Sequence, residues 1–404
     1  MAPSKPSRPQ HRRLDQSMMI SNQTHVSTAL ATHLLSNKHD SNVVFSPLSI
    51  QVALSVLSAG CKGETLDQLL AFLKADTTDD LNSLYLQLVS SILADGSPGG
   101  GPILSSVNAV WVGENFSLKP CFKQVVDTVY RTSCKQVDFL KAVEVAREVN
   151  SWAKKETNGL IKEVITAEEV SADTMLILAN AIYFKGTWSR QFETSLTKER
   201  DFHLLNGNKV KAPFMTSYEN QFVREYDGFK VLGLPYSHGQ DKRKFSMDFY
   251  LSDAKDGLPS LIKKIGSTSN FFDHHIPPFK EKVGEFFIPK FKIEFGFKAS
   301  DMLKKLGLVL PFEVGDGFTE MIDSPIGEGL YVSTIEHKSL VEVNEEGTEA
   351  AAVTVGIMRE GSRQRAPSTF VDFVADHPFL FVIREDVTGV VLFMGQVIDP
   401  SLSI

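Results

Sequence analysis

Along SPLSIQVALSVLSAG, residues 46–60, apolar side chains recur on nearly every face, so the pattern predicts a central helix enclosed by other elements. Ser46 is placed to cap it, Pro47 fits its first turn, and Gly60 stands where it would stop. In TLDQLLAFL, by contrast, Leu66, Leu69, Leu70 and Leu73 form a single stripe, the pattern of a surface helix. EVAREVNSWAKKETNG aligns Val145, Val149 and Trp152 opposite its charges and ends at Gly159, so this helix is expected to cover something. Before it, DGSPGGGP (residues 95–102) reads as a turn and ILSSVNAVWVG as a strand. From about Thr174 the period shortens to that of strands: MLILANAIYFKGTW, FKVLGLPY, FSMDFYLSD, EFFIPKFKIEFGF, FLFVIRED and VVLFMGQVI, with Thr388-Gly389 turning between the last two. Helices early and strands late, without regular alternation, predict an α+β fold and not a parallel doubly wound sheet. No repeat and no long linker divides the chain, so one domain over residues 24–404 is expected.

Composition narrows this further. The 404 residues could hold two ordinary domains or one large one, and an apolar fraction of 42% with 23% charged residues is enough for a sizeable core. A net charge of -7 lacks the basic footprint of a nucleic-acid binder. No window approaches the roughly 20 uninterrupted apolar residues of a spanning helix, so no membrane partner is expected. The basic, proline-rich start MAPSKPSRPQHRRLDQ is not followed by an apolar stretch, because Met18, Met19 and Ile20 give way to Ser21, Asn22 and Gln23. No secretory leader is expected, which predicts a cytoplasmic protein with a disordered basic tail at residues 1–23. A nuclear address through Lys5, Arg8, Arg12 and Arg13 is the alternative. Three cysteines, Cys61, Cys121 and Cys134, with no metal spacing fit reduced thiols in that compartment. The sequons at Asn22 and Asn115 then carry no weight.

No enzyme is expected. G-x-S-x-G, H-E-x-x-H, C-x-x-C and the phosphate-binding G-x-x-x-x-G-K-[ST] are all absent, which leaves hydrolase, zinc and nucleotide chemistry without an anchor. His274-His275 is the one pair that suggests a metal, but neighbours on an extended segment point opposite ways, so it reads as a loop pair. No cofactor or metal follows.

The stretch NEEGTEAAAVTVGIMREGSR, residues 344–363, is the informative one. Sorted by strand parity from Gly347, one set is Thr348, Ala350, Ala352, Thr354, Gly356 and Met358, small or uncharged throughout. The other, Glu349, Ala351, Val353, Val355, Ile357 and Arg359, carries the charges. Such a segment can enter a sheet with its small set against a packed interior, yet REGSRQRAPS after it has the polarity of an exposed loop. It reads either as a fixed edge strand running into a loop or as a segment suited to two states.

EVNEEGTEAAAVT, followed by DHPFLFVIRE and LFMGQV, resembles the hinge, reactive-loop and C-terminal strand blocks of the serpins. NVVFSPLSI, NSWAKKETNGLI, ANAIYFKGTW, DGFKVLGLPY and IPKFKIEFGF are similar to serpin blocks in the same order, and GQDKRKFSMDFYLSD resembles the form found in plant serpins. The resemblance implies a metastable α+β serpin fold with three β-sheets, about nine helices and an exposed reactive-centre loop, here about residues 347–371. It further implies a monomeric, irreversible suicide-substrate inhibitor of serine proteases, extending to papain-like or other cysteine proteases. The protease is held as a covalent acyl complex while the cut loop inserts into the large sheet. About 14 residues at roughly 3.3 Å each would carry the protease some 45 Å, and at about 1 kcal/mol per ladder bond on the order of 10 kcal/mol becomes available to distort it. A non-inhibitory serpin with a storage, binding or chaperone-like role is the alternative.

Residue by residue, the resemblance puts the hinge at Glu345, Glu346, Gly347, Thr348, Glu349, Ala350, Ala351 and Ala352. Val353 departs from the alanine common at its position. Ser46, Ser49, Asn180 and His337 match the polar cluster beneath the opening of the sheet, and Trp188 matches the residue at its top. Register from the hinge glycine puts the reactive bond at Gly361-Ser362, whereas counting back from DHPF lands one residue later. Arg363-Gln364 is the chemical alternative and Arg359 another, since an acyl-side arginine suits proteases with an acidic specificity pocket. Lys242-Arg243-Lys244 reads as a solvated surface turn, with a polyanion cofactor as the open alternative.

Overall fold

The computed structural model describes residues 16–323, 329–348 and 370–402. Among the described residues it contains nine α-helices and three β-sheets, the α+β arrangement expected. A seven-stranded sheet runs in the order Val43–Phe45, Val391–Val397, Phe379–Glu385, Phe245–Ser252, Phe229–Pro235, Gln221–Tyr226 and Lys280–Glu281. A four-stranded sheet follows the order Val371–Val374, Val283–Pro289, Lys209–Met215 and Lys198–His203. The large sheet is ordered Phe291–Lys298, Thr334–Val343, Leu176–Thr187, Ile103–Gly113 and Ser133–Val137, and the short strand Gly347–Thr348 pairs with Leu176–Thr187.

The helix Pro47–Ser58 is buried along all of its residues, capped by Ser46, whose Oγ accepts from the Ser49 amide. Its all-round apolar surface is explained by its place between the large and seven-stranded sheets, where Leu48, Val52 and Leu54 join the main core. The amphipathic helix Ala142–Glu156 does cover something. Val145, Val149 and Trp152 lie on Trp111, Ala179 and Ala181, on the other face of the large sheet, and Trp152 meets Trp111 edge to face at 5.2 Å. The large sheet is therefore buried on both sides.

Three expectations are corrected. The tail does not extend to residue 23: a helix begins at Gln16 and runs to Ser36. Its buried face carries Gln23, Thr24 and Ser27, and the Ser27 hydroxyl accepts from the Gln23 and Gln51 side-chain amides. Polar residues bonded partly to one another stand where the periodicity looked for apolar ones. Residues 1–15 lie outside the described residues. EFFIPKFKIEFGF is two strands in two sheets, Val283–Pro289 and Phe291–Lys298, broken at Lys290, whose amide donates to the Pro213 carbonyl. Finally, Arg243 is no solvated turn residue. Its Nη1 is shared among the carbonyls of Ser91, Ile92 and Ala94, which end the preceding helical segment, and its Nε donates to Asp241 at 3.0 Å. The His274-His275 pair is not on an extended segment: His274 ends the helix Phe271–His274 and is exposed, while His275 follows it and stacks on Phe271 at 4.2 Å.

Loss of the guanidinium clamp in Arg243→Ala is expected to cost about 2 kcal/mol, since charge-assisted bonds to partly buried carbonyls are at stake. Hydrogen exchange should quicken across residues 88–101, and an unchanged exchange pattern there would mean that the clamp holds nothing.

Candidate functional site

The large sheet has one seam unlike the rest. Thr334–Val343 and Leu176–Thr187 run parallel and pair from Thr334 opposite Ile177 to Leu340 opposite Tyr183. Above Tyr183 the strands diverge, and Gly347 and Thr348 take the place beside Leu176–Thr187, antiparallel, opposite Thr187 and Gly186.

Beneath the middle of the seam lies the polar cluster Ser46, Ser49, Asn180 and His337, all buried. His337 and Asn180 are direct register partners across the seam, so their side chains meet on the core face. His337 Nδ1 lies 2.8 Å from Asn180 Oδ1, while the Ser46 amide donates to His337 Nε2 at 3.1 Å. An acceptor role for Nε2 fixes a neutral ring that donates from Nδ1. Burial pushes this imidazole down to about 3, which agrees with neutrality. The Ser49 hydroxyl donates to Asn180 Oδ1 at 2.6 Å, and the Asn180 amide donates to Asn108 Oδ1 at 2.7 Å. Asn108 escaped the sequence reading, although an asparagine inside the apolar strand ILSSVNAVWVG was a signal that it needs a buried partner. Ser339 was missed as well; its hydroxyl donates to the Val44 carbonyl.

At the top of the seam Trp188 stacks on Tyr236 at 4.6 Å, and its indole N–H donates to the Asn344 carbonyl. The Tyr236 hydroxyl lies 2.7 Å from that of Thr348, and both side chains are buried. Glu345 is buried too, with its carboxylate held by Lys290 at 2.7 Å and by the Thr197 hydroxyl at 2.8 Å. Burial opposes its charge, but these two donors outweigh that and hold the carboxyl below its ordinary value. The Trp188 and Phe192 amides donate to the carbonyls of Glu346 and Glu345. Gly347 is required by close approach: a Cβ there would collide with the Gly186 carbonyl and come within 2.7 Å of Thr187 Cα. Glu345, Glu346, Gly347 and Thr348 are thus brought together with Trp188. Glu349, Ala350, Ala351, Ala352, Arg359, Gly361, Ser362, Arg363 and Gln364 lie outside the described residues.

A strap crosses the lower seam. From the end of the helix Ala142–Glu156 the chain buries Ile161, Ile165 and Val170 and binds Lys298 through Glu169 at 3.0 Å. Lys298 is paired with Glu336 in the strand beyond the seam, so the strap passes over Glu336, which is only 5% exposed. It returns to Leu176 after the Tyr331 hydroxyl donates to the Asp173 carbonyl.

A large sheet closed at a polar, parallel seam, with an antiparallel entrant strand at its open end, defines a class of protein. The serpin (serine protease inhibitor) family model matches residues 21–400. "Serpin-ZX" of Arabidopsis thaliana is 56% identical over 384 residues, covering 94% of this chain and 98% of that protein. "Serpin-ZXA" of Oryza sativa subsp. japonica is 49% identical over 96% of this chain and 99% of that one. Among solved structures, that of Arabidopsis AtSerpin1 in its native stressed conformation superposes with a TM-score of 0.88 at 55% identity, covering 96% of this chain and 99% of that one. The chain belongs to the serpin family of protease inhibitors, among its plant members.

Stability should carry the signature of the buried His337. The unfolded ring takes up a proton near pH 6.5 and the folded ring only near 3, so its contribution is complete above about 6.5 and is lost as pH falls towards 3. Asp248, raised to about 7 by burial, acts in the opposite sense as pH rises, so the readout is the difference between wild type and His337→Gln. That difference should change by roughly 1.4 kcal/mol per pH unit within this window. Parallel urea titration curves at pH 7 and pH 5 would contradict a neutral, buried His337.

Proposed function

We propose that the protein is a monomeric, cytoplasmic, irreversible suicide-substrate inhibitor of serine proteases, with papain-like or other cysteine proteases as further targets. The observation that carries this reading is the antiparallel seating of Gly347 and Thr348 on Leu176–Thr187, with Thr348 fully buried. Continuing that register would set Ala350 opposite Phe184, Ala352 opposite Ile182, Thr354 opposite Asn180 and Gly356 opposite Leu178. Phe184, Ile182 and Leu178 face the main core, so the small or uncharged parity set would be the one to enter it. Glu349 would fall opposite Lys185, an opposite charge on the other face. Val353 would face Ala181, Val355 Ala179 and Ile357 Ile177, in the layer under the helix Ala142–Glu156. The second parity set is therefore suited to a covered surface, and the bulk of Val353 finds an alanine there.

In this reading the protease nucleophile adds to the carbonyl carbon of Gly361, the amine of Ser362 leaves with a proton, and an acyl-enzyme remains. Arg363-Gln364 is the second choice of bond. Release of the C-terminal strand frees the segment to displace the seam pairing between Thr334–Leu340 and Ile177–Tyr183, and the protease is carried off before water completes the reaction. A storage, binding or chaperone-like role would suit a hinge with charge or bulk in the inward parity set, and Thr348, Ala350 and Ala352 carry neither.

Incubation with a trypsin-like and a papain-like protease should yield an SDS-resistant complex and a released fragment beginning at Ser362, or at Gln364 for the alternative bond. Loop cleavage should raise the melting temperature sharply. Ala350→Arg should turn the inhibitor into a substrate, because a buried unpaired charge costs several kcal/mol. Complete turnover of wild type by every protease tried, with no gain in melting temperature, would overturn the proposal.

A further inference from the structure

The seven-stranded sheet carries a second buried polar group, far in sequence from the seam cluster. Ser246 and Arg384 are direct partners, as are Asp248 and Val382, and Tyr250 and Leu380, so Arg384, Asp248 and Tyr250 share one face of the sheet. The short helix Phe271–His274 closes over that face. Phe272 meets Tyr250 edge to face at 5.4 Å, and Asp273 approaches Arg384 Nη1 to 3.9 Å. Tyr226 completes the wall, packed against His275 at 4.7 Å.

Arg384 and Asp248 are 4% and 2% exposed, yet Arg384 Nε and Asp248 Oδ2 are 4.0 Å apart, too far for a hydrogen bond. Among the described residues, Arg384 Nη1, Asp248 Oδ2 and Tyr250 Oη have no hydrogen-bond partner. Three orphaned polar atoms on one buried face call for an explanation, and a guanidinium cannot shed its proton to escape the cost. The ordinary remedy is a bridging occupant that both donates and accepts.

The charges select its class. Two carboxylates, Asp248 at 4.0 Å and Asp273 at 3.9 Å, already face the Arg384 guanidinium, which disfavours an anion. No group of three His, Cys, Asp or Glu side chains that could hold a metal ion occurs among the described residues. A neutral amphiprotic molecule fits, and a 4.0 Å gap between donor and acceptor suits one the size of water. We infer that Arg384, Asp248 and Tyr250 form a binding site for ordered internal water, and that this water, in place of direct contact, carries the ion pair. Burial raises the Asp248 carboxyl to about 7, and a bridging water can serve that group in either protonation state by turning its hydrogens.

Tyr250→Phe in the full-length, uncleaved protein separates a wet site from a dry one by sign. If the hydroxyl is bonded to internal water, its removal breaks that bond and the melting temperature of the intact form falls by about 1–2 °C. If the hydroxyl is buried without a partner, its removal relieves a penalty and the melting temperature rises, which overturns the inference. A high-resolution crystal structure of the wild-type protein gives the independent reading. Solvent peaks within hydrogen-bond distance of both Arg384 Nη1 and Tyr250 Oη are expected. A dry site with Arg384 bonded directly to Asp248, or density for an ion or organic molecule there, would overturn it.

Discussion

The parallel pairing of Thr334–Leu340 with Ile177–Tyr183 is the constraint on which the rest of the structure depends. It joins the two halves of the large sheet at its centre, and its core face sets Asn180, His337 and Ser339 among the apolar Leu178, Ile182, Ile335 and Val341. Asn180 Oδ1 takes donors from His337 and Ser49 at once, and Asn180 passes its own amide hydrogen to Asn108. Each member is satisfied only while the two strands stay adjacent. Parting them strands several buried polar groups together, so the seam resists partial opening more than a hydrophobic contact of equal area would. A neutral His337 suits this arrangement, because an imidazolium has no acceptor nitrogen for the Ser46 amide.

The top of the seam follows a different rule. There the strands are held apart by what lies between them: the entrant Gly347–Thr348, the stacked rings of Trp188 and Tyr236, and the Asn344 carbonyl under the indole N–H. Two glycines make this possible. Gly347 passes against the backbone of Gly186 and Thr187, and Gly186 itself has no room for a Cβ beside the Tyr236 ring. Glu345 fastens the approach through Lys290 on one side and Thr197 on the other. The bond between Arg243 and the carbonyls of residues 91–94 holds the turn that follows Tyr236, so the aromatic support is itself anchored from a distance.

Much of this was legible in the order of the residues. The all-round apolar helix Pro47–Ser58, the one-sided helix Ala142–Glu156 and the long strands around Asn180 and Val391 follow from periodicity, because burial on both faces and burial on one face leave different patterns. The parity of the stretch after Gly347 separated its small set from its charged one. Polar burial was what periodicity could not see. Ser21, Asn22 and Gln23 made the start of the first helix look like a tail, Asn108 and Ser339 passed as strand filler, and Arg243 and Arg384 read as surface charges or went unremarked. Each is satisfied, or left wanting, by a partner remote in the chain, and no local window contains that partner.

The strap pinned by Glu169 to Lys298 has one more consequence. It bridges the two banks of the seam like a stitch drawn across a closed wound, with Ile161, Ile165 and Val170 sunk into the tissue beneath. In the proposed insertion, a strand threaded down the seam from Thr348 would reach the stitch before it reached Leu176, and would have to lift it or slip under it. Under the proposed insertion, such a strand would part the bonds of His337 and Asn180 first and meet the charge pair of the strap last.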